Sequence, residues 1–176
     1  LTALAESLTY EKKYDEAVSA LEQALAIQQR VYGPAHPSVA ETLNELGNVA
    51  SMRDKLDDAE VQFRRAVDIY RAVYGDHHYL VAIALSNVAG IYMDKKDYPH
   101  AEQIFRDVIR RYTETLPPDN VNTGIAHIKL GRTLLRQNRY KDAEHETRAG
   151  YEILIKQSSP STSFTQAARK DLAAEY

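Results

Sequence analysis

Apolar residues recur along the chain in columns that stay in phase over an interval of 42 residues. One column consists of alanine alone, and a second, three positions earlier, is aromatic or aliphatic. A third, thirteen positions before each alanine, holds Leu or Val, each followed by Ala or Gly. The columns are Ala17, Ala59, Ala101 and Ala143; Tyr14, Leu56, Tyr98 and Tyr140; and Leu4, Leu46, Val88, Leu130 and Leu172. The chain is therefore built from internal repeats, each of which should fold as one supersecondary unit.

Each repeat contains two segments whose apolar residues lie at helical spacing. Loops with Gly, Pro or Ser separate the repeats, because Gly ends a helix and Pro cannot continue it. The pattern predicts an all-α chain. The first helices of the units are predicted over about 1–10, 37–52, 79–94, 121–136 and 163–176. The second helices are predicted over about 14–31, 56–73, 98–115 and 140–157.

The small residue after each Leu or Val predicts close helix packing. Helix axes approach to about 8–10 Å only where side chains permit it, and a Gly inside a helix costs roughly 1 kcal/mol relative to Ala. Gly47 and Gly131 therefore predict close crossings of two helices. We also expect the alanine column to be buried, and Tyr14, Tyr98 and Tyr140 to share one packing column.

The pattern within one unit resembles the tetratricopeptide repeat. In the second unit the resemblance is carried by Leu46-Gly47, Ala50, Ala59 and Phe63, and Leu43 stands where Trp is usual. Segment 33–46, which begins Gly-Pro-x-His-Pro-x-Val-Ala, is similar to the 42-residue repeats of kinesin light chains. This resemblance implies a right-handed α-solenoid of about four helical hairpins plus a terminal helix. A single domain would span 1–176, with units over about 1–36, 37–78, 79–120 and 121–162 and a terminal helix over 163–176.

The last unit also resembles the C-terminal repeats of some bacterial multidomain serine/threonine kinases. Residues 134–140, 142–144 and 149–152 carry this resemblance. It implies that the chain is a fragment of a longer protein, in which a kinase domain precedes the repeats. No glycine-rich loop, His-Arg-Asp or Asp-Phe-Gly motif occurs in the sequence, so kinase activity would lie outside this segment.

Composition removes several classes of function. The sequence has no Cys, which excludes disulfides and thiolate chemistry and fits a reducing compartment, so we expect a cytoplasmic protein. A formal net charge of −3 argues against sequence-independent nucleic-acid binding. No apolar run reaches the ~18 residues of a membrane span. We expect neither a nucleic-acid nor a membrane partner.

Residues with catalytic or metal-binding chemistry do not form a recognisable constellation. The six histidines lack the spacing of a zinc site, and His77-His78 is interpreted as part of a loop between units. Asp57-Asp58 opens a helix, where acidic side chains suit the dipole. Arg64-Arg65 and Arg110-Arg111 stand among acidic residues on second helices. We therefore predict no enzyme activity, cofactor or metal.

The resemblance implies that first helices line a concave face, which gives a candidate peptide-binding surface. We expect amides at one end of it, small and apolar residues in the middle, and cations at the other. An amide offers both a donor and an acceptor to a peptide backbone, and paired arginines bind carboxylates. The partner would be a protein or peptide, with an acidic or C-terminal carboxylate end as one candidate. The predicted residues are Asn44, Asn48, Met52, Ser86, Asn87, Gly90, Met93, Lys129, Arg132 and Arg136.

Three functions stay open at this point. The first is a protein-interaction scaffold that binds a peptide on its concave face, as a module of a bacterial signalling protein. The second is a structural or self-assembling segment with no peptide ligand. The third is the regulatory region of a kinase. Because Leu1, Leu172 and Tyr176 fall in apolar columns, we also expect weak self-association through an end of the array.

Overall fold

The computed structural model describes residues 1–156 and 163–174. Within these residues it contains nine α-helices and no strand. The all-α fold predicted from the sequence is therefore confirmed. The helices are α1 Thr2–Tyr10, α2 Tyr14–Tyr32, α3 Pro37–Met52, α4 Leu56–Tyr74, α5 Tyr79–Asp94, α6 Tyr98–Thr115, α7 Val121–Arg136, α8 Tyr140–Leu154 and α9 Ser163–Ala174.

The predicted helix boundaries agree closely with these bounds. Helices α3, α5, α6 and α7 begin and end where the pattern placed them. Helices α2 and α4 each run one residue further, to a Tyr directly before Gly33 or Gly75. Helix α8 ends at Leu154, three residues before the predicted end at Gln157, which lies outside the described residues.

The chain divides into two compact units, Leu1–Ile91 and Tyr92–Tyr176, and the division falls inside α5. In the first unit α2 packs against α1 and α3, and α3 packs against α4. In the second unit α7 packs against α6 and most extensively against α8, while α9 packs mainly against α8. Antiparallel helix pairs joined by short turns are therefore the building block of both units.

The alanine column forms the inner contact of these pairs. Ala17, Ala59, Ala101 and Ala143 are each 0% exposed. The helices approach closely at Gly47 on α3, where an added Cβ would stand 2.7 Å from the Phe63 ring of α4. The predicted close crossings are confirmed.

The glycines of the second unit show the same closeness between α7 and α8. A Cβ on Gly131 would stand 3.0 Å from the Ala143 carbonyl oxygen and would also clash with the Thr147 side chain. A Cβ on Gly150 would stand 2.5 Å from the carbonyl oxygen of Gly124. Since backbone atoms cannot move aside as a flexible side chain does, alanine is too large at either position.

Two predicted packing positions are exposed. Leu4 is 53% exposed, although Leu46, one period later, is 9% exposed and lies beside Val18 and Glu22 of α2. Tyr140 is 55% exposed, so its assignment to the packing column is wrong. It stands in the first turn of α8, where its hydroxyl donates to Oδ1 of Asn138 at 3.1 Å.

The loops between units contain a capping device. The Nδ1 atom of His36 accepts from the backbone N–H of Ser38 at 3.2 Å, and that of His78 accepts from Leu80 at 3.3 Å. One period later Oδ1 of Asn120 accepts from Asn122 at 2.9 Å. These residues supply an acceptor to N–H groups at the start of α3, α5 and α7, which have no partner within the helix. The loop interpretation of His78 is confirmed.

Tyrosines at the ends of α2 and α4 hold the capping histidines. The Tyr32 and His36 rings are stacked with centroids 4.7 Å apart, and those of Tyr74 and His78 lie 4.5 Å apart. Gly33 and Gly75 turn the chain between each pair with φ of 87° and 84°, a region that suits glycine. The sequence Tyr-Gly-x-x-His thus folds into one rigid joint at two places in the chain.

Candidate peptide-binding surfaces

A groove between α1 and α3 is the first surface at which predicted residues meet. It has a volume of about 250 Å³ and is lined by Glu6, Thr9 and Tyr10 of α1 and by Glu45, Asn48 and Met52 of α3. Tyr10 is 83% exposed and Met52 58% exposed. We call it the Tyr10–Met52 groove. It combines apolar surface with two carboxylates and an amide.

A second cavity adjoins this groove and shares Glu45 with it. Its volume is about 260 Å³, and the residues that line it are all polar apart from the aromatic ring of Tyr70. We call it the Tyr70 pocket. The lining residues are Thr2, Gln28, Ser38, Glu41, Thr42, Asn44, Glu45 and Tyr70.

Hydrogen bonding explains why the Tyr70 pocket stays polar inside a packed unit. The Thr42 hydroxyl donates to Oε1 of Gln28 at 2.8 Å, which ties α3 to α2. Burial, with the nearby carboxylate of Glu41, raises the pKa of Tyr70 to about 12, despite a hydrogen bond from Asn44 that favours the ionised form. Oδ1 of Asn44 is buried and receives no hydrogen bond. Asn44 lines the Tyr70 pocket, whereas Asn48 lines the Tyr10–Met52 groove, so the two amides lie in different cavities.

The four predicted site residues on α5 differ in their exposure to solvent. Ser86 is buried, and Asn87 is half-buried. Gly90 has no atom within 4 Å of the position a Cβ would take, so it faces open space. Met93 is half-buried, and its sulfur lies 2.7 Å from the Thr133 hydroxyl of α7. Only Asn87 and Gly90 of these four offer surface to a ligand without rearrangement of a packed contact.

The predicted basic residues on α7 are largely engaged within the second unit. Nε of Arg132 donates to Oδ2 of Asp171 on α9 at 2.6 Å. The ammonium of Lys129 lies 6.0 Å from the centroid of the Phe105 ring, and burial lowers its pKa. Arg136 is exposed. The expectation that Arg132 and Arg136 project together as a pair for an external carboxylate is thus corrected, because the terminal helix supplies a carboxylate to Arg132.

The structure also shows two polar contacts that the sequence pattern did not indicate. Oε1 of Glu102 accepts from Arg106 at 2.9 Å and from Arg139 at 2.8 Å, and Oε2 accepts from Gln137. Burial alone would raise the pKa of Glu102, but these hydrogen bonds outweigh it and leave the pKa lowered.

The second contact lies between α7 and α8. Nδ1 of His127 and Oε2 of Glu146 are 2.7 Å apart, and both side chains are mostly buried. The hydrogen bond from His127 holds the pKa of Glu146 below its usual range. His127 occupies the position that Leu1, Leu43 and Leu85 occupy in the other units, so a polar residue interrupts an apolar column there. The repeat pattern does not indicate that Glu146 is its partner.

The described part of the chain shows neither a metal-binding cluster nor a membrane-spanning helix. Among its residues no group of three or more His, Cys, Asp or Glu could hold a metal ion. None of its helices is long and apolar enough to cross a membrane. Two cavities of the first unit, the Tyr10–Met52 groove and the Tyr70 pocket, contain predicted site residues.

The sequence itself identifies the class of protein. The tetratricopeptide-repeat family matches it in three overlapping segments, 1–72, 45–114 and 80–156. The chain belongs to this family. Proteins built from these repeats generally act as non-catalytic scaffolds for protein interaction. No curated protein matches the sequence.

Solved structures with this fold include proteins of the kinesin-light-chain type. A Podosopora anserina protein of this type, with nearly identical TPR-like repeats, is 20% identical and has a TM-score of 0.79. The match covers 99% of this chain and 83% of that protein. BtubC (BKLC) from P. vanneervenii is 16% identical, with a TM-score of 0.86 over 98% of this chain and 69% of that one. The predicted likeness to kinesin-light-chain repeats is confirmed at the level of the fold.

A third similar structure comes from a protein with a different printed name. The apo form of RapI is 18% identical and has a TM-score of 0.84, and the match covers 99% of this chain and 61% of RapI. At such identities the likeness shows the fold alone.

Proposed function

We propose that the chain is a protein-interaction scaffold that binds an extended peptide segment along the exposed side of α1 and α3. The Tyr10–Met52 groove carries this proposal. Its two exposed apolar side chains flank an opening of about 250 Å³, which is enough for one side chain of a peptide. The half-buried amide of Asn48 lies beside it and can bond to a peptide backbone.

Two methionines make this binding site easy to observe. The chain contains only Met52 and Met93, and Met52 lines the groove while Met93 contacts Thr133. We expect a peptide selected from a random display library to shift the methyl NMR signal of Met52 and to leave that of Met93 unchanged. Asn48→Arg should block the groove and abolish the shift.

Two results would contradict the scaffold proposal. One is a library selection that enriches no sequence on the parent protein over the Asn48→Arg variant. The other is an enriched peptide that shifts Met93 and leaves Met52 in place. Unchanged helical circular dichroism of Asn48→Arg serves as the folding control.

A partner that presents a carboxylate to α7 stays part of the proposal, with Arg136 as the cation that is open to it. Arg136 is exposed, but Arg132 would have to leave Asp171 before it could bind an external carboxylate.

The sequence resemblance supports a role in bacterial signalling, a cytoplasmic location and an upstream kinase domain. The complete gene sequence tests the kinase context directly. The self-assembling alternative predicts a scaffold whose groove selects no peptide at all.

A further inference from the structure

The first unit contains a set of carboxylates without cationic partners. Among its described residues, Glu6, Glu41 and Glu45 form no ion pair, whereas Asp15 pairs with Arg53 and Glu60 pairs with Arg64. None of the residues that line the Tyr10–Met52 groove or the Tyr70 pocket is Lys, Arg or His. The two cavities therefore form one continuous region of negative charge.

The carboxylates and the apolar residues lie along one stripe of α3. Glu41, Glu45, Asn48 and Met52 follow one another at spacings of four, three and four residues, which places them on one side of a helix. At 1.5 Å per residue, Glu45 and Met52 are separated by roughly 10 Å along the axis. An extended peptide covers that distance in about three residues.

We propose that this stripe binds a basic peptide, whose Lys or Arg side chain lies beside Glu41 and Glu45 and whose apolar side chain enters between Tyr10 and Met52. This inference rests on the proposed scaffold function and specifies the chemistry of its partner. The two peptide side chains should stand about three residues apart. An acidic peptide would meet like charges in the same place, which disfavours it.

The Tyr70 pocket adds acceptors for such a peptide. Its lining carries the carboxylates of Glu41 and Glu45, both on exposed residues, which can accept hydrogen bonds from a guanidinium or ammonium. Lys and Arg side chains carry donors only, so their chemistry complements this lining.

Two labelled peptide pools test the charge preference. Both pools hold Leu at one fixed position in a Ser/Gly background, and they differ only in having Lys or Glu three residues away. We expect the Lys pool to bind at least about fivefold more tightly than the Glu pool at low salt, because Glu41 and Glu45 attract Lys and repel Glu. The difference should shrink as salt is added.

Variants of the protein locate the effect. The double change Glu41→Gln and Glu45→Gln should remove most of the preference for the Lys pool. Glu22→Gln is the matched control, since Glu22 is an exposed carboxylate of α2 that lines neither cavity. It should leave the preference unchanged.

The outcomes separate this inference from the scaffold proposal. Tighter binding of the Lys pool, lost with the double change but not with Glu22→Gln, supports it. Equal binding of both pools, or a preference that survives the double change, overturns the basic-peptide inference. If the Met52 methyl still shifts in that case, the scaffold proposal stands. Failure of the display library and of both pools alike overturns the scaffold proposal together with the inference.

Discussion

Single residues at the joints between helices explain much of the regularity of the chain. The first and second helices are joined by turns in which a non-glycine residue has φ close to 60°: Lys12, Asp54, Lys96 and Asn138. These four positions are themselves 42 residues apart. The sequence pattern did not reveal them, because two of the four are Lys, and only Asp54 and Asn138 are residue types that are enriched in this conformation.

The capping column, unlike the positive-φ positions, could have been recognised from the sequence. His36, His78 and Asn120 share one position of the repeat, yet His is a less familiar capping residue than Asn or Ser. A comparison of the residues directly before each first helix would have indicated that this position caps the helix. The capping role becomes evident from the contact to the N–H two residues on.

Replacing a capping histidine should measurably weaken the first unit. We expect His78→Ala to lower the free energy of unfolding by about 1 kcal/mol, because it removes the acceptor for the Leu80 N–H and the stack on Tyr74. His78→Asn should restore most of the loss, since Asn fills this position at 120. Urea denaturation measures both, and His145→Ala, an exposed histidine of α8, is the control. Equal stability of the Ala and Asn variants would show that capping is unimportant here.

At the scale of helices, the alanine column sets how closely a pair can pack. Ala101 is fully buried on α6, and Arg at this position would place a long cation in a core whose described residues include no carboxylate to pair with it. We expect Ala101→Arg to lower the free energy of unfolding by several kcal/mol, more than the ~1–3 kcal/mol of simple overpacking. Ala72→Arg, at an exposed position of α4, should change little. A denaturation midpoint equal to that of the parent would contradict burial of the column.

The polar contacts between helices of the second unit make its stability depend on pH. Because the pKa values of Glu102 and Glu146 are lowered in the folded chain, their contribution is present above the unfolded pKa of about 4.3 and is lost as the pH falls through the folded values. We expect Glu146→Gln to flatten the loss of stability below about pH 4.3 and to cost about 2 kcal/mol at neutral pH. Urea titrations at several pH values measure this.

An exposed carboxylate on the same helix provides the control for the pH experiment. Glu152→Gln on α8 should leave the pH dependence as it is in the parent. A Glu146→Gln variant that follows the parent curve throughout the acid range would show that the hydrogen bond from His127 does not stabilise the fold.

At the scale of the whole molecule, Arg132 connects α9 to the rest of its unit. We expect Arg132→Ala to increase amide hydrogen exchange in α9, because it removes the ion pair with Asp171. Arg136→Ala should not, since Arg136 is exposed. Exchange of α9 that is the same in both variants would mean that packing on α8 alone holds the helix.

The repeat period predicts the helices and their order, but not the partners of polar residues. Apolar columns have one structural solution, burial against the neighbouring helix, so Ala59 and Gly47 were assigned correctly. A charged side chain has several possible environments, because either a carboxylate of another helix or the solvent can stabilise its charge. Arg132 pairs with Asp171, a contact that no column of the repeat indicates. Weak self-association stays a prediction: Leu1 is 49% exposed, but the Leu172 side chain and Tyr176 lie outside the described residues.

The two histidine-capped joints have a consequence for changes in chain length. His36 and His78 make the same stack and the same cap, so removal of residues 37–78 would place Tyr79 directly after His36 in an equivalent junction. Inserting a further copy of 37–78 after His78 would recreate the joint in the same way. A duplication or loss of one whole period in the gene would therefore join compatible ends, whereas a length change other than a multiple of 42 residues across this joint would separate a helix from its cap. Arrays of this type can lengthen or shorten by whole periods without a new linker.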